Sequence, residues 1–179
     1  NVAVPLVFKQ VVDGLDISYR GRDGARLMAV SDVSLHVGRG EVLAVVGESG
    51  CGKSSLGLGI AGLLAPPAAL SARSVRLEMG KSVYELTGED PRRSTWRRHV
   101  AVIFQEPAAS LNPVHTVGHH LTRALHQSGI GKQAAAARAL QLLEQVRITD
   151  PHDVMGRYPH QLSGGMAQRV MIALALAQD

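Results

Sequence analysis

The fold is decided by the stretch Val42-Leu43-Ala44-Val45-Val46-Gly47-Glu48-Ser49-Gly50-Cys51-Gly52-Lys53-Ser54-Ser55. Five apolar residues run into Gly47, which is typical of a strand that is covered on both faces. Gly47 to Ser54 then fits the pattern G-x-x-x-x-G-K-[ST] of a phosphate-binding loop. Its glycines let successive backbone N–H groups point into one concavity, where a phosphate binds. We expect a helix to follow from Lys53 to Leu64 and to be ended by Pro66-Pro67.

The residue types at the end of this loop define its chemistry. The helix that starts near Lys53 directs the positive end of its dipole at the same anion. The Lys53 side chain can reach the terminal phosphates of a nucleoside triphosphate, and the Ser54 hydroxyl is a suitable ligand for Mg²⁺. The stretch therefore predicts a nucleoside triphosphate site that uses magnesium.

The composition is that of a globular protein of about one domain. The chain has 179 residues, of which 45% are hydrophobic and 19% charged. A formal net charge of +4 is mild and does not argue for a nucleic-acid partner. The single cysteine excludes an internal disulfide. The longest apolar run, Leu56 to Leu70, contains glycines and prolines and is too short to span a bilayer, so we expect no transmembrane segment.

The spacing of apolar residues predicts strands and helices in the rest of the chain. Strands are predicted where apolar residues alternate or form short runs between turn residues. Helices are predicted where the apolar period lengthens and helix formers dominate. The predicted strands are Val11–Tyr19, Leu27–Val37, Ser74–Met79, Ser82–Leu86 and His99–Phe104; the predicted helices are Pro91–Arg98, Thr116–Gly129 and Lys132–Arg147.

A second anion site is predicted near the end of the chain. Ser163 is a good N-cap for a helix that runs through Val170 to Ala177. Gly164 and Gly165 leave the first backbone N–H groups of that helix unobstructed. Two phosphate-type sites on one chain suggest that the sites meet across a dimer.

The residues at this point carry a family resemblance. Leu162-Ser163-Gly164-Gly165-Met166 resembles the signature sequence of ATP-binding-cassette (ABC) ATPases, and Val102-Ile103-Phe104-Gln105-Glu106-Pro107 resembles their Q-loop. The resemblance extends from about Val11 to the last residue. Ser110-Leu111-Asn112-Pro113 and the methionine at 166 are similar to the ATPase subunits of bacterial oligopeptide, dipeptide and nickel importers.

The resemblance implies an α/β fold. A phosphate-loop NTPase core, with a mixed sheet and flanking helices, would carry an antiparallel β subdomain and an inserted helical subdomain. The whole chain, 1–179, would be a partial ABC-type nucleotide-binding domain, incomplete at its C-terminus. Its expected parts are the antiparallel β part at 1–40, the phosphate-loop core at 41–109, the helical subdomain at 110–162 and the signature helix at 163–179.

The resemblance also implies roles for individual residues, with ATP and Mg²⁺ as cofactors. Tyr19 would stack on adenine. Gln105 would contact Mg²⁺ or the attacking water, so that Ser54 and Gln105 are the expected metal contacts. The signature residues Leu162, Ser163, Gly164, Gly165 and Met166 would bind the ATP that the opposite protomer holds. The phosphate-binding residues would be Gly47, Glu48, Ser49, Gly50, Cys51, Gly52, Lys53, Ser54 and Ser55.

The function that the resemblance implies is that of an ATP-hydrolysing subunit that powers an importer of peptides or a similar small solute. Its partners would be a second ATPase subunit, integral-membrane permease subunits and, indirectly, an extracytoplasmic solute-binding protein. The expected location is the cytoplasmic face of the membrane, as a peripheral protein. The sequence does not specify the solute, nor whether the ATPase pair is a homodimer or a heterodimer.

The sequence departs from the family after Ala175-Leu176-Ala177-Gln178-Asp179. The family continues into the Walker B strand, which ends in Asp-Glu, and then to a switch histidine, and none of these lies within 1–179. The Glu would polarise the attacking water, help that is worth about 10²–10⁴-fold in rate. We therefore expect this piece alone to hydrolyse ATP little or not at all. Two other functions stay open: a non-catalytic nucleotide-binding fragment or pseudo-enzyme, and a soluble ABC ATPase without a transport role.

Overall fold

The computed structural model describes residues 8–21, 23–87, 96 and 99–178. The chain divides into two compact units, Asn1–Val100 and Ala101–Asp179. Each unit has a hydrophobic core of its own. The described part of the first unit is built mainly on a sheet, and that of the second on helices.

An antiparallel sheet forms the first unit. Its strands are β1 (Phe8–Arg20), β2 (Arg26–Val37), β3 (Ala68–Ser71), β4 (Ser74–Met79) and β5 (Ser82–Glu85). Strand β1 lies at the centre, with β2 along one edge and β4 and then β3 along the other. Strand β5 pairs with β4. The four strands predicted over 11–37 and 74–86 are confirmed, whereas the short strand β3 was not predicted.

Charged side chains bridge β1 and β2 where the pairing is irregular. The register shifts between Val12 and Leu15. There the Arg73 guanidinium lies 2.9 Å from a carboxylate oxygen of Asp13 and 3.1 Å from one of Asp32. Its hydrogen bond lowers the pKa of Asp13 below the usual range. Because these side chains are exposed, water screens the pairs and they add little stability.

Helix α1 (Lys53–Ile60) is shorter than the predicted helix, which extended to Leu64. Gly62 has a φ of 69°, in the left-handed region. The N–H of Leu63 donates to the carbonyl of Leu58 at 2.9 Å, as in a Schellman motif. The glycine therefore ends the helix before the two prolines are reached.

Trp96 anchors the core of the first unit. Its side chain is fully buried, and its indole N–H donates to the carbonyl of Ile60 at 3.1 Å. The contact ties Trp96 to the end of α1. The rest of the helix predicted over 91–98 lies outside the described residues.

The two strands predicted for the middle of the core, 42–46 and 99–104, are not strands. Val42 is 91% exposed, Val46 is 87% exposed and Phe104 is 41% exposed. An apolar run is buried as a strand only where neighbouring strands cover it and complete its hydrogen bonds. No described strand pairs with either segment, so the prediction of buried strands is wrong for these residues.

The second unit is helical over its described residues. Its α-helices are α2 (Pro107–Ser110), α3 (Val117–Gln127), α4 (Lys132–Gln145), α5 (Pro151–Gly156) and α6 (Gly164–Leu176), with a 3₁₀ turn at Pro159–Gln161. Helices α3, α4 and α6 confirm the three helices predicted after residue 115. They share one core, in which Leu121, Leu142 and Val170 are fully buried. Among the described residues, the structure contains no helix with the length and apolarity needed to cross a membrane.

Candidate functional site

The phosphate-loop motif is irregular backbone that leads directly into α1. Gly50 and Gly52 adopt left-handed φ values of 81° and 96°. Gly52 is the N-cap of α1, and it supplies no side chain to bond the first N–H groups. The first turn of α1 also contains no acidic residue. These N–H groups and the helix dipole together make the start of α1 attractive to an anion.

Gly52 is required by a close approach between the loop and the sheet. A Cβ atom on Gly52 would lie 2.2 Å from the carbonyl oxygen of Ala29 in β2. The obstacle is backbone, which cannot rotate away as a side chain would. Glycine therefore satisfies both the left-handed φ and the short distance to β2.

Lys53 lies across the loop rather than pointing away from it. Its ammonium group donates to the carbonyl of Gly47 at 2.8 Å and to that of Glu48 at 2.6 Å. The Cys51 sulfur lies 3.6 Å from the same nitrogen. An ammonium group has three donors, so these bonds hold the positive charge at the loop.

Tyr19 joins the sheet to the first turn of α1. Its hydroxyl lies 3.0 Å from the hydroxyl of Ser55, a residue 36 positions further along the chain. Both residues are partly buried. Tyr19 therefore lies beside the predicted phosphate loop. Sequence reasoning did not find the bond between the two hydroxyls.

Ser54 is exposed and contributes to the lining of an apolar cleft of about 460 Å³. Leu43 and Val45 contribute to the lining of this cleft. Among its lining residues, Gln10, Lys53 and Ser54 carry the polar side chains. Two of these three polar side chains, Lys53 and Ser54, thus lie where α1 begins.

Gln105 belongs to the second unit, where it is exposed in a bend directly before α2. The neighbouring residue Glu106 uses its carbonyl to accept a bond from the Ser110 hydroxyl at 3.1 Å. Helix α2 packs against α6 and the 3₁₀ turn before it. The predicted Q-loop glutamine is therefore attached to the same unit as the predicted signature.

The predicted signature residues, 162–166, form the start of α6. The Ser163 hydroxyl accepts a hydrogen bond from the N–H of Met166 at 3.3 Å, which confirms the predicted N-cap. Just before it, the N–H of Tyr158 donates to the side-chain oxygen of Gln161 at 2.8 Å. Leu162 and Met166 pack against the core of the unit, whereas Ser163 is exposed.

Gly164 and Gly165 are not required by the packing around them. A Cβ atom on either one would meet no heavy atom within 4 Å, and neither has a left-handed φ. Both glycines are exposed. The start of α6 is therefore a bare backbone surface that a ligand or a second chain can approach closely.

The structure brings the predicted site residues together in two groups. Tyr19 and the loop residues 47–55 lie in the first unit, where direct contacts connect them. Gln105 and residues 162–166 lie in the second unit, on elements that pack together.

A histidine cluster lies beside the start of α3. The rings of His115 and His119 stack with centroids 4.1 Å apart, and His120 lies edge-on to His115 at 5.9 Å. Partial burial and then the neighbouring histidines and Arg123 lower the pKa of His115. Among the described residues, no set of three or more His, Cys, Asp or Glu side chains has the arrangement of a metal site.

A family model described as "ABC transporter" matches residues 30–179. The match covers well over half of the chain and includes both the phosphate loop and residues 162–166. The chain therefore belongs to the ABC transporter family.

The chain is also similar to individual curated proteins. The chain is 45% identical over 168 residues to the dipeptide transport ATP-binding protein DppD of Escherichia coli (strain K12), a match that covers 93% of this chain and 50% of DppD. It is 43% identical over 172 residues to the glutathione import ATP-binding protein GsiA of Salmonella paratyphi A, covering 93% of this chain and 27% of GsiA. The chain thus spans half or less of the length of these relatives.

A solved structure has the same fold. The ATP-binding cassette MJ0796, in a dimeric post-hydrolysis state bound to ADP and Pi, matches with a TM-score of 0.73 and 24% identity over 94% of this chain and 69% of that one. This likeness confirms the predicted α/β fold class of an ABC cassette.

Gly52→Ala is expected to lower the free energy of unfolding by roughly 1–3 kcal/mol, because the left-handed φ and the overlap with the Ala29 carbonyl both oppose a Cβ. Urea denaturation measures the change. Gly57→Ala is the matched control: it lies within α1 with open space around it, and we expect about 0.5–1 kcal/mol of added stability. Equal stabilities of the two variants would contradict the interpretation.

Proposed function

We propose that this chain is the ATP-binding part of an ATP-hydrolysing subunit that powers the import of peptides or similar small solutes. The observation that carries the proposal is the presence of two helix starts with exposed backbone, at Gly52–Ser55 and Ser163–Gly165, in a chain of the ABC transporter family. The names of its relatives support the transport role, since they are ATP-binding proteins of dipeptide transport and glutathione import.

In this proposal the ATP phosphates lie in the loop formed by residues 47–55. Backbone N–H groups at the start of α1 would donate to the phosphate oxygens. Lys53 already holds its ammonium group at the loop through the Gly47 and Glu48 carbonyls. A bound phosphate would replace these neutral acceptors with a charged one, so that donor and acceptor are both ionised. The ring of Tyr19, which contacts Ser55 through its hydroxyl, would stack on the adenine.

Magnesium fits the residues at this place. Mg²⁺ prefers oxygen ligands and is commonly held by few protein groups together with phosphate oxygens and water. The exposed Ser54 hydroxyl, next to Lys53, would be such a ligand. When bound, Mg²⁺ would neutralise part of the negative charge of the phosphates. The role of Gln105 as a contact of Mg²⁺ or of the attacking water stays a prediction.

The start of α6 would bind the ATP held by a second ATPase subunit. The exposed Ser163 hydroxyl and the backbone of Gly164 and Gly165 would donate to its terminal phosphate. The absence of a packing reason for these two glycines supports the proposal, because a phosphate needs close access to the backbone. Association of the two subunits would then depend on ATP.

The remaining partners follow from the proposed transport role. They would be permease subunits embedded in the membrane and, indirectly, a solute-binding protein on the opposite side. The proposed location is peripheral, at the cytoplasmic face of the membrane. The names of the relatives, which are transport and import proteins, support these proposals.

We further propose that residues 1–179 alone hydrolyse ATP little or not at all. The family's Asp-Glu pair would supply a magnesium contact and the polarising base, and this chain has no equivalent pair in its sequence. Glu106 comes directly before α2, and Glu144 lies within α4, so neither follows a strand as the family's pair does. Binding without rapid turnover is the expected behaviour.

Lys53→Ala is expected to weaken MgATP binding by roughly 10- to 100-fold, because it removes a charge-assisted hydrogen bond to phosphate. Fluorescence titration with trinitrophenyl-ATP, displaced by MgATP, measures the affinity. Lys81→Ala, in the turn between β4 and β5, removes the same charge away from the loop and serves as the control. Equal affinities of the two variants would contradict the proposed site.

Phosphate release by the 179-residue chain is expected to equal that of its Lys53→Ala variant, because the general-base contribution of about 10²–10⁴-fold is missing. A coupled phosphate assay at saturating MgATP measures both rates. A steady rate that Lys53→Ala abolishes would refute the proposed lack of turnover while leaving the proposed binding site intact.

Ser163→Ala is expected to weaken MgATP-dependent self-association about tenfold or more, because it removes a donor to charged phosphate. Sedimentation velocity with and without MgATP measures the effect. Thr116→Ala is the matched control, since the Thr116 hydroxyl caps α3 by accepting from the N–H of His119 and its loss costs similar helix stability. Equal losses of self-association in the two variants would contradict the proposed contact, because the loss of helix stability alone would then account for both.

A further inference from the structure

We propose that Tyr19 is a positioning residue, whose hydroxyl orients the hydroxyl of Ser55 toward a bound phosphate. The inference rests on the proposed function, because it assigns a second task to one residue of the same nucleotide site. Stacking on adenine uses the aromatic ring alone. The contact between the two hydroxyls gives the polar end of Tyr19 a role in holding the phosphates.

The position of the Tyr19 hydroxyl is fixed by the sheet. Tyr19 pairs with Leu27 of β2 on one side and with Ala68 of β3 on the other. Its side chain packs against the core of the first unit. A partly buried side chain on a strand that is paired on both sides has little freedom, so its hydroxyl is presented to α1 at a defined point, 3.0 Å from Ser55.

Ser55 lies at the helix start that forms the proposed anion site. Ser55 is in the first turn of α1, which begins at Lys53 and has no side-chain cap. The N–H of the following residue, Leu56, is already bonded to the Gly52 carbonyl at 2.8 Å. The donors left at this helix start therefore include the earlier backbone N–H groups and the Ser55 hydroxyl.

Hydroxyl chemistry decides the direction of the bond when an anion is present. Each hydroxyl has one hydrogen to donate and can accept from others. If Tyr19 donates to Ser55, the Ser55 hydrogen is free to donate to a phosphate oxygen. In the opposite direction Ser55 offers the anion only lone pairs. A bound phosphate therefore selects the chain Tyr19 to Ser55 to phosphate, in which each bond strengthens the next.

Removal of the Tyr19 hydroxyl would release Ser55 to a competing partner. A serine in a helix readily turns its hydroxyl to a backbone carbonyl three or four residues earlier. At Ser55 those carbonyls belong to Gly52 and Cys51, in the loop itself. The hydrogen would then be used inside the helix and lost to the phosphate.

Tyr19→Phe tests the proposal, because it keeps the ring and removes only the hydroxyl. Two ligands are titrated against the 179-residue chain by displacement of trinitrophenyl-ATP: MgATP, and inorganic tripolyphosphate, which has no base to stack. We expect Tyr19→Phe to weaken the binding of both ligands by about threefold to tenfold, which corresponds to the free energy of one hydrogen bond. In a Ser55→Ala background the same change is expected to have no further effect.

Two control variants separate positioning from general damage. Ser55→Thr keeps a hydroxyl and is expected to retain the sensitivity to Tyr19→Phe. Tyr84→Phe removes a tyrosine hydroxyl from β5 of the same sheet and is expected to leave both affinities unchanged.

The outcomes distinguish this inference from the proposed function. If the unaltered chain binds both ligands and Tyr19→Phe binds them equally tightly, the positioning role is overturned and the nucleotide site stands. Additive losses in the Tyr19→Phe/Ser55→Ala double variant would overturn the role as well. If the unaltered chain binds neither ligand, the proposed function fails and the inference fails with it.

Discussion

The contact between the backbone of Gly52 and the carbonyl of Ala29 is the constraint on which the phosphate loop depends. Because no side chain separates the loop from β2, the start of α1 is held directly against the sheet. The first turn of the helix, which includes Lys53, is thereby placed beside β2. In the proposed anion site, the start of α1 would therefore be in place before a ligand arrives, and binding would need little movement of the helix.

The glycines at the starts of α1 and α6 are present for different physical reasons. Gly52 is needed by the fold itself, since a Cβ there would overlap β2. Gly164 and Gly165 lie in open space with ordinary helical backbone, so the fold would accept alanine at both. Glycine at such positions costs helix stability. The proposed contact with the ATP of a second subunit would explain why the chain carries them.

Local patterns predicted those parts of the structure that local chemistry controls. Alternation located β1 and β2, and the serine N-cap located the start of α6. The same reasoning was wrong for residues 42–46 and 99–104, because burial of an apolar run depends on partner strands that the run does not specify. It also missed the bond from Tyr19 to Ser55, since a contact over 36 residues is set by how the sheet and helix pack. In the candidate site, the phosphate-loop motif identified the residues, whereas the hydrogen bonds of Lys53 and Tyr19 are visible only in the structure.

The exposed apolar segment 42–46 has a consequence for how the chain behaves in solution. Val42 and Val46 present most of their surface to water, and the backbone beside them has no strand partner among the described residues. Such a segment is a template onto which an extended segment of another molecule can add as a strand. Self-association by this route would grow with protein concentration and would be indifferent to nucleotide. A dimer held by nucleotide and a cluster held by strand addition would thus differ in their response to ATP, although both would sediment faster than the monomer.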